Sequence, residues 1–229
     1  MTISFIRAGF LILLLVPWCS SHAQENYVAY FQPQLAVNYL VSRNYSHNFS
    51  LSSRNFIFQD RELEFRGRNL DLSHFSTLKM GLNSSLGGGI MYRFRQVFET
   101  NRDNEVRFTQ QYNLTTRPLV VRYGHRLRTE QRIFPDITIH RFRYRFTLDF
   151  PLEGEKVDIN EAYLIINTEA LLSIGMGRIP QYDQRVSFNI GWLLSPKVQL
   201  QAGIENRWEN YRDQTQMVLF LNSSLILSL

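Results

Sequence analysis

The stretch HRFRYRFTLDF, residues 140–150, separates cleanly by parity. Arg141, Arg143, Arg145, Thr147 and Asp149 fall on one side of an extended chain, and Phe142, Tyr144, Phe146, Leu148 and Phe150 on the other. A helix would spread these two sets around its circumference, because its side chains recur every 3.6 residues. A strand, with its period of 2, keeps them apart. Such a strand needs two unlike surroundings, one that accepts a file of guanidinium groups and one that accepts a wall of rings.

The same alternation runs outward in both directions. Ile90, Tyr92 and Phe94 alternate with Arg93 and Arg95; Val106, Phe108 and Tyr112 alternate with Arg107 and Gln111. Val121, Tyr123 and Leu127 oppose Arg122, Arg126, Arg128 and Glu130, and Val186, Phe188 and Ile190 oppose Arg185 and Ser187. No helical period competes, so the chain reads as all-β. Ten strands are predicted, at about 48–58, 70–82, 89–99, 105–114, 119–131, 139–150, 160–171, 184–194, 198–208 and 216–228. A further run, Tyr27 to Val41, is interrupted by Pro33, which lowers its claim to a ladder position. It is read as an N-terminal segment (24–45) or an extra strand that would bring the count to twelve with an unseen partner, ahead of a barrel over 46–229.

The connections are expected to alternate in length. Asn83 to Gly88, Thr115 to Pro118 and Ser195-Pro196-Lys197 read as tight turns. The Gly87-Gly88-Gly89 run is assigned to such a turn. Longer polar links are expected near 59–69, 99–105, 132–138, 172–182 and 209–215, with the long 151–160 link as an exception at the turn end. Short turns at one end and longer loops at the other are the asymmetry of a bacterial outer-membrane barrel. The expected fold is therefore an antiparallel up-and-down transmembrane β-barrel with both termini at the turn end. Strands of about 10 residues suffice to cross a hydrocarbon layer when tilted. Trp192 and Trp208 fall near opposite strand ends on the ring-bearing face, where interfacial aromatic girdles belong.

In that setting the basic files face the lumen. The predicted charge network comprises Arg93, Arg95, Arg107, Arg122, Arg126 and Arg128, then Arg141, Arg143, Arg145, Arg185 and Arg207. Its acids are Glu99, Glu130, Asp149, Glu161, Glu169, Asp183 and Glu205. Buried charges persist when paired and hydrogen-bonded, and guanidinium–carboxylate forks do this well. A barrel of about eight strands is filled by its own side chains, whereas about 16 leave a wide channel. A structural filling is thus favoured over a charge-ringed, porin-like pore. The alternative reading of the alternation is a soluble periplasmic lipocalin-like barrel with its rings turned inward.

The N-terminus reads as an export signal. Arg7 supplies a basic start, Phe10 to Val16 a short apolar run, and Ser21-His22-Ala23 the small residues before a cut after Ala23. Cys19 raises a lipoprotein reading, which the bulky Trp18 before it disfavours. Cleavage would leave no cysteine, and a formal charge of +4 once Arg7 is subtracted from the +5 of the whole chain. An exported chain whose arginines are dispersed along strands is not read as a nucleic-acid binder. The implied partners are outer-membrane lipid and the machinery that inserts barrels, with no specific protein partner. The implied location is the outer membrane of a Gram-negative envelope.

HRLRTEQR at 125–132, HRFRYRFTLDFPL at 140–152, EAYLIINTEALL at 161–172 and DQRVSFNIGWLLSP at 183–196 together resemble an exported bacterial family. That family is catalogued as domain of unknown function 2490. The resemblance covers most of the chain after the signal segment and is clearest from about residue 119 onward. It implies an outer-membrane β-barrel and brings no catalytic or binding residue with it.

Motifs for chemistry are sparse. Glu130, Glu169 and Glu205 are candidate acids and His125 and His140 candidate bases for an enzyme acting on lipid or envelope polymer. Both histidines fall on the ring-bearing parity, as interfacial polar residues would. No nucleophile triad, zinc-protease motif or phosphate-cradling loop is present, and neither a cofactor nor a metal site is expected. The charged run Arg61, Glu62, Glu64, Arg66, Arg68 reads as a solvated loop, or as a contact for lipopolysaccharide phosphates or a protein.

Overall fold

In the computed structural model, residues 27–59 and 61–229 are described. The expected signal segment and its cleavage site lie outside them. Among the described residues every regular element is a strand: β1 (Val28–Ser42), β2 (Tyr45–Gln59), β3 (Glu62–Lys79), β4 (Ser84–Phe94), β5 (Glu105–Thr116), β6 (Arg122–Ile133), β7 (Thr138–Pro151), β8 (Ala162–Gly175), β9 (Gln181–Ser195), β10 (Val198–Glu209) and β11 (Gln216–Ser228). They close into one barrel, each strand beside its sequence neighbour and β1 beside β11. All pairs are antiparallel except the closing one, which is parallel from Val28↔Val218 to Asn38↔Ser228.

The barrel class is as expected, but the strand count is eleven. The Tyr27–Val41 run is the missing strand, and Pro33 lies inside it. The β1–β11 pairing passes straight through Pro33, opposite Ser223. The β1–β2 pairing instead goes from Phe31↔Asn55 to Gln34↔Ser52 without pairing Gln32 or Pro33. That gap in one ladder accommodates a residue with no backbone N–H. An odd count also moves a terminus. Val28 stands at the same end as the β10–β11 connection, while Ser228 stands at the β1–β2 turn end. The expectation of both termini at one end does not hold.

Two connections differ from expectation for local reasons. Most of the supposed 59–69 link is strand, because Gln59 pairs with Glu62 across a tight turn in which Arg61 takes φ 68°. The Gly87–Gly89 run is strand as well, opposite Phe75 to Thr77. A Cβ on Gly87 would come within 2.3 Å of the Phe75 ring and one on Gly89 within 2.2 Å. The glycines therefore make room for an inward ring and do not turn the chain. Among the connections, 95–104 and 152–161 are long at opposite ends, so the asymmetry of short and long links is weak.

The alternation along each strand becomes inside and outside. Arg143 is 9% exposed, while its neighbours Phe142 and Tyr144 are 48% and 43% exposed. Leu72, Leu127, Phe188 and Ile204 likewise point outward. Buried positions are dominated by Arg, Glu, Asp, Ser and Asn. The interior holds one compact apolar cluster, Tyr30, Phe56, Val218 and Phe220, packed with Val28 beside the parallel seam.

Candidate functional site in the barrel lumen

The lumen contains a cavity of about 950 Å³. Its wall is built by register. Facing positions across β6, β7, β8 and β9 include Glu130↔Arg141, Arg145↔Glu169 and Glu169↔Arg185, so opposite charges meet on the inner face. Three carboxylates anchor the wall. Glu105 is fully buried and accepts from Arg132 at 2.7 and 2.9 Å, Arg107 at 2.7 and 3.0 Å and Arg95 at 2.9 Å, with Arg93 at 3.7 Å. Glu130 meets Arg143 at 2.7 Å, Arg107 at 3.6 Å and Arg128 at 3.7 Å. Glu169 is gripped by Arg143 and neighboured by Arg145 at 3.4 Å and Arg185 at 3.9 Å.

These clusters join end to end. Asp71 holds Arg93 through two bonds of 2.7 and 2.5 Å; Arg93 leads to Glu105, Arg107 to Glu130 and Arg143 to Glu169. Arg207 bonds Glu205 and lies 3.6 Å above the Phe220 ring. Phe220 also receives Arg54 at 4.8 Å, and Arg54 stands 5.5 Å from Tyr30. Cation–π contacts thus carry the charged belt toward the apolar seam. In the 95–104 connection, burial first and then the nearby Arg93 guanidinium pull Arg95 down to about 10, so it remains charged at neutral pH.

All eleven arginines read from the sequence line this cavity, as do Asp149, Asp183 and Glu205; Glu130 and Glu169 are buried in its wall. Asp183 takes a backbone partner, accepting from the Asn210 N–H at 3.0 Å. Two predicted acids are elsewhere. β4 ends at Phe94 and the chain turns, with the Glu99 N–H donating to the Arg95 carbonyl, so strand parity no longer applies there. Glu99 pairs instead with Arg66 and Arg102 at 3.5 and 3.4 Å. Glu161 precedes β8 and caps its own link, accepting from the Asp158 N–H at 2.8 Å.

Sequence reasoning missed Asp71, Glu105, Arg54, Arg68 and Arg132. Glu105 shares parity with Arg107 and Asp71 with Ser73, so period alone would have found both. Arg68 and Arg132 were placed in expected links that are strand. The seam aromatics Tyr30, Phe56 and Phe220 left no such signal, because inward rings break the polar-in pattern.

Residues 33–218 match the model of a family described as Protein of unknown function (DUF2490). The chain belongs to the DUF2490 family. No curated protein matches it.

The candidate bases of this DUF2490 chain are not brought to the candidate acids, although Glu130 and Glu169 share Arg143. His125 lies on the outer face, its Nδ1 2.9 Å from the Tyr144 hydroxyl, and His140 is exposed on the same parity. Glu130, Glu169 and Glu205 are engaged with arginines inside. Among the described residues no group of three or more His, Cys, Asp or Glu side chains is arranged to hold a metal ion. Trp192 and Trp208 lie at opposite ends of the β9–β10 hairpin, paired with Leu200 and Gln184. Near the turn end the Tyr163 ring lies over Gly191 and its hydroxyl donates to Gln199 at 2.9 Å and accepts from Gln201 at 2.8 Å.

Proposed function

We propose that this DUF2490 chain is a non-enzymatic integral outer-membrane barrel whose Arg/Glu-packed lumen serves a structural or narrow-pore role. One observation carries the reading: the barrel is inside-out relative to a water-soluble one. Its interior holds the charges, and large apolar side chains along nearly every strand face outward. A contiguous apolar exterior of this kind marks a surface that meets lipid or another apolar partner. Strands of 11 to 18 residues exceed the roughly 9–11 needed to span a bilayer when tilted. The outward Trp192 and Trp208 then mark the two interfaces.

The N-terminal stretch read as an export signal is in keeping with this proposal, and the lipid bilayer and the barrel-insertion machinery are the partners this reading requires. A lipocalin-like role fits poorly, because such a barrel keeps an apolar pocket inside and this lumen is lined by arginine. The test is fractionation of envelopes from cells expressing the full chain, followed by vesicle flotation. Recovery with outer-membrane vesicles, and release only by detergent, is the expected result. Release by osmotic shock would overturn the proposal.

A further inference from the structure

The lumen is not electrically balanced. Fourteen arginines line the cavity, against eight carboxylates, of which five line it and three, Glu105, Glu130 and Glu169, are buried in its wall. The excess is six positive charges, 14 against 8. A filling whose only purpose was to neutralise itself would not carry such a surplus, since an enclosed charge without a counter-charge is costly.

The surplus is concentrated on β6 and β7. Arg126 directly faces Arg145, and Arg128 directly faces Arg143, an arrangement that repels. Arg143 is neutralised by Glu130 and Glu169. The others are held mainly by neutral oxygens. Arg126 donates through Nε to Asn113 Oδ1 at 2.9 Å, Arg128 to Gln111 Oε1 at 2.9 Å, and Arg141 to Ser173 Oγ at 2.8 Å. Among the described residues, no carboxylate forms an ion pair with Arg126 or Arg141. Arg145 reaches Glu169 only at 3.4 Å, and its Nε is buried without a hydrogen-bond partner, as is that of Arg185. Amide and hydroxyl oxygens at Nε orient a guanidinium without cancelling its charge. The result is a set of fixed cationic forks around a water-sized to ligand-sized space.

We infer that the lumen is a binding site for a small solute carrying two or more oxyanion groups, seated against Arg126, Arg128, Arg141 and Arg145. Planar guanidinium forks match phosphate and carboxylate oxygens two at a time. The cavity of about 950 Å³ is of the size that holds such a solute, near the top of the roughly 300–1,000 Å³ range of small-molecule sites. Ser50, Ser73, Asn167 and Gln201 also line it and supply uncharged hydrogen bonds for the solute's remaining polar groups. An apolar ligand would strand all of these.

The site rests on the charge-packed lumen of the proposed function and not on residence in a membrane, so the two fail separately: flotation tests the location, titration tests the site. The full chain, folded in detergent micelles, is titrated calorimetrically with inorganic pyrophosphate and with citrate, each against sodium chloride of equal ionic strength. Saturable binding of either at about one per chain is expected, and the stronger of the two names the preferred oxyanion. Arg126→Gln should weaken it roughly ten-fold or more, as loss of a charge-assisted hydrogen bond does. Arg43→Gln, in the β1–β2 turn, should leave it unchanged. Should Arg126→Gln not fold, Arg126→Lys keeps the charge, loses the fork and should still weaken binding. Absence of saturable binding beyond the chloride control, or affinity unchanged in both Arg126 variants, would overturn the inference.

Discussion

Arg143 grips Glu169 through two parallel bonds, Nε to Oε1 at 2.9 Å and Nη2 to Oε2 at 2.8 Å. Its remaining terminal nitrogen donates to Glu130 at 2.7 Å. One guanidinium therefore fastens β7 to both of its neighbours on the inner face. Because Arg128 stands directly opposite Arg143, those strands would repel there without the two glutamates.

Arg143→Leu should accordingly destabilise the barrel by roughly 3–5 kcal/mol, since it removes the shortest bonds of two buried carboxylates and leaves them arginine contacts of 3.4 to 3.9 Å. Phe146→Leu, a change of shape on the outer face, should cost under about 1.5 kcal/mol. Heat-modified migration on gels and urea unfolding in detergent measure both. Equal midpoints for the two variants would refute the crosslink.

The Phe75 ring and the glycines opposite it should behave as a coupled pair. Gly87→Ala places a methyl group 2.3 Å from that ring, and overpacking of this kind costs about 1–3 kcal/mol. In the Phe75→Ala background the clash with the ring is gone and only the Ser76 carbonyl at 3.1 Å remains close, so the two changes should be non-additive by about 1 kcal/mol or more. Simple additivity in unfolding free energies would mean that the ring does not depend on these glycines.

Phe220 is 1% exposed, lies against Tyr30 at 5.1 Å between ring centres, and carries Arg207 and Arg54 over its faces. Phe220→Ala should cost roughly 3–5 kcal/mol, as truncation of a buried ring does. Phe220→Leu keeps most of the apolar volume and loses the π-face, so it reads the cation–π and ring–ring contacts together, about 0.5–2 kcal/mol. Unfolding of the two variants side by side is the measurement, and a leucine variant as weak as the alanine one would place nearly all the effect in the rings.

Orientation is open to direct labelling, because the single cysteine, Cys19, lies in the expected signal segment. In lipid vesicles, environment-sensitive labels at Phe142→Cys and Tyr144→Cys should report hydrocarbon. Labels at Arg141→Cys and Arg145→Cys should report a polar setting. The reverse pattern would eliminate the membrane reading while leaving the barrel intact.

Much of this molecule is legible as period. Alternation of rings and arginines over residues 89–208 reveals strands, their two faces and most of the inner wall, because a strand's side chains can only alternate. Strand parity stops where the chain turns. That is why Glu99 and Glu161 read as lumen residues, and why Arg132, inside an expected loop, did not. The glycine run misled for a related reason: glycine marks both turns and close packing, and only the position of Phe75 distinguishes them.

Closure was decided in three dimensions. The parallel seam between Val28–Asn38 and Val218–Ser228 joins segments about as far apart in the chain as any, and no local pattern encodes that pairing. The seam makes the strand number odd and gathers Tyr30, Phe56 and Phe220 into one cluster, while the gap that tolerates Pro33 lies in the neighbouring β1–β2 ladder. It also settles which guanidiniums meet a carboxylate and which do not, since that depends on register between strands. The sequence by itself determined which side of each strand is charged; the tertiary structure alone decided how those charges pair and how many are left over.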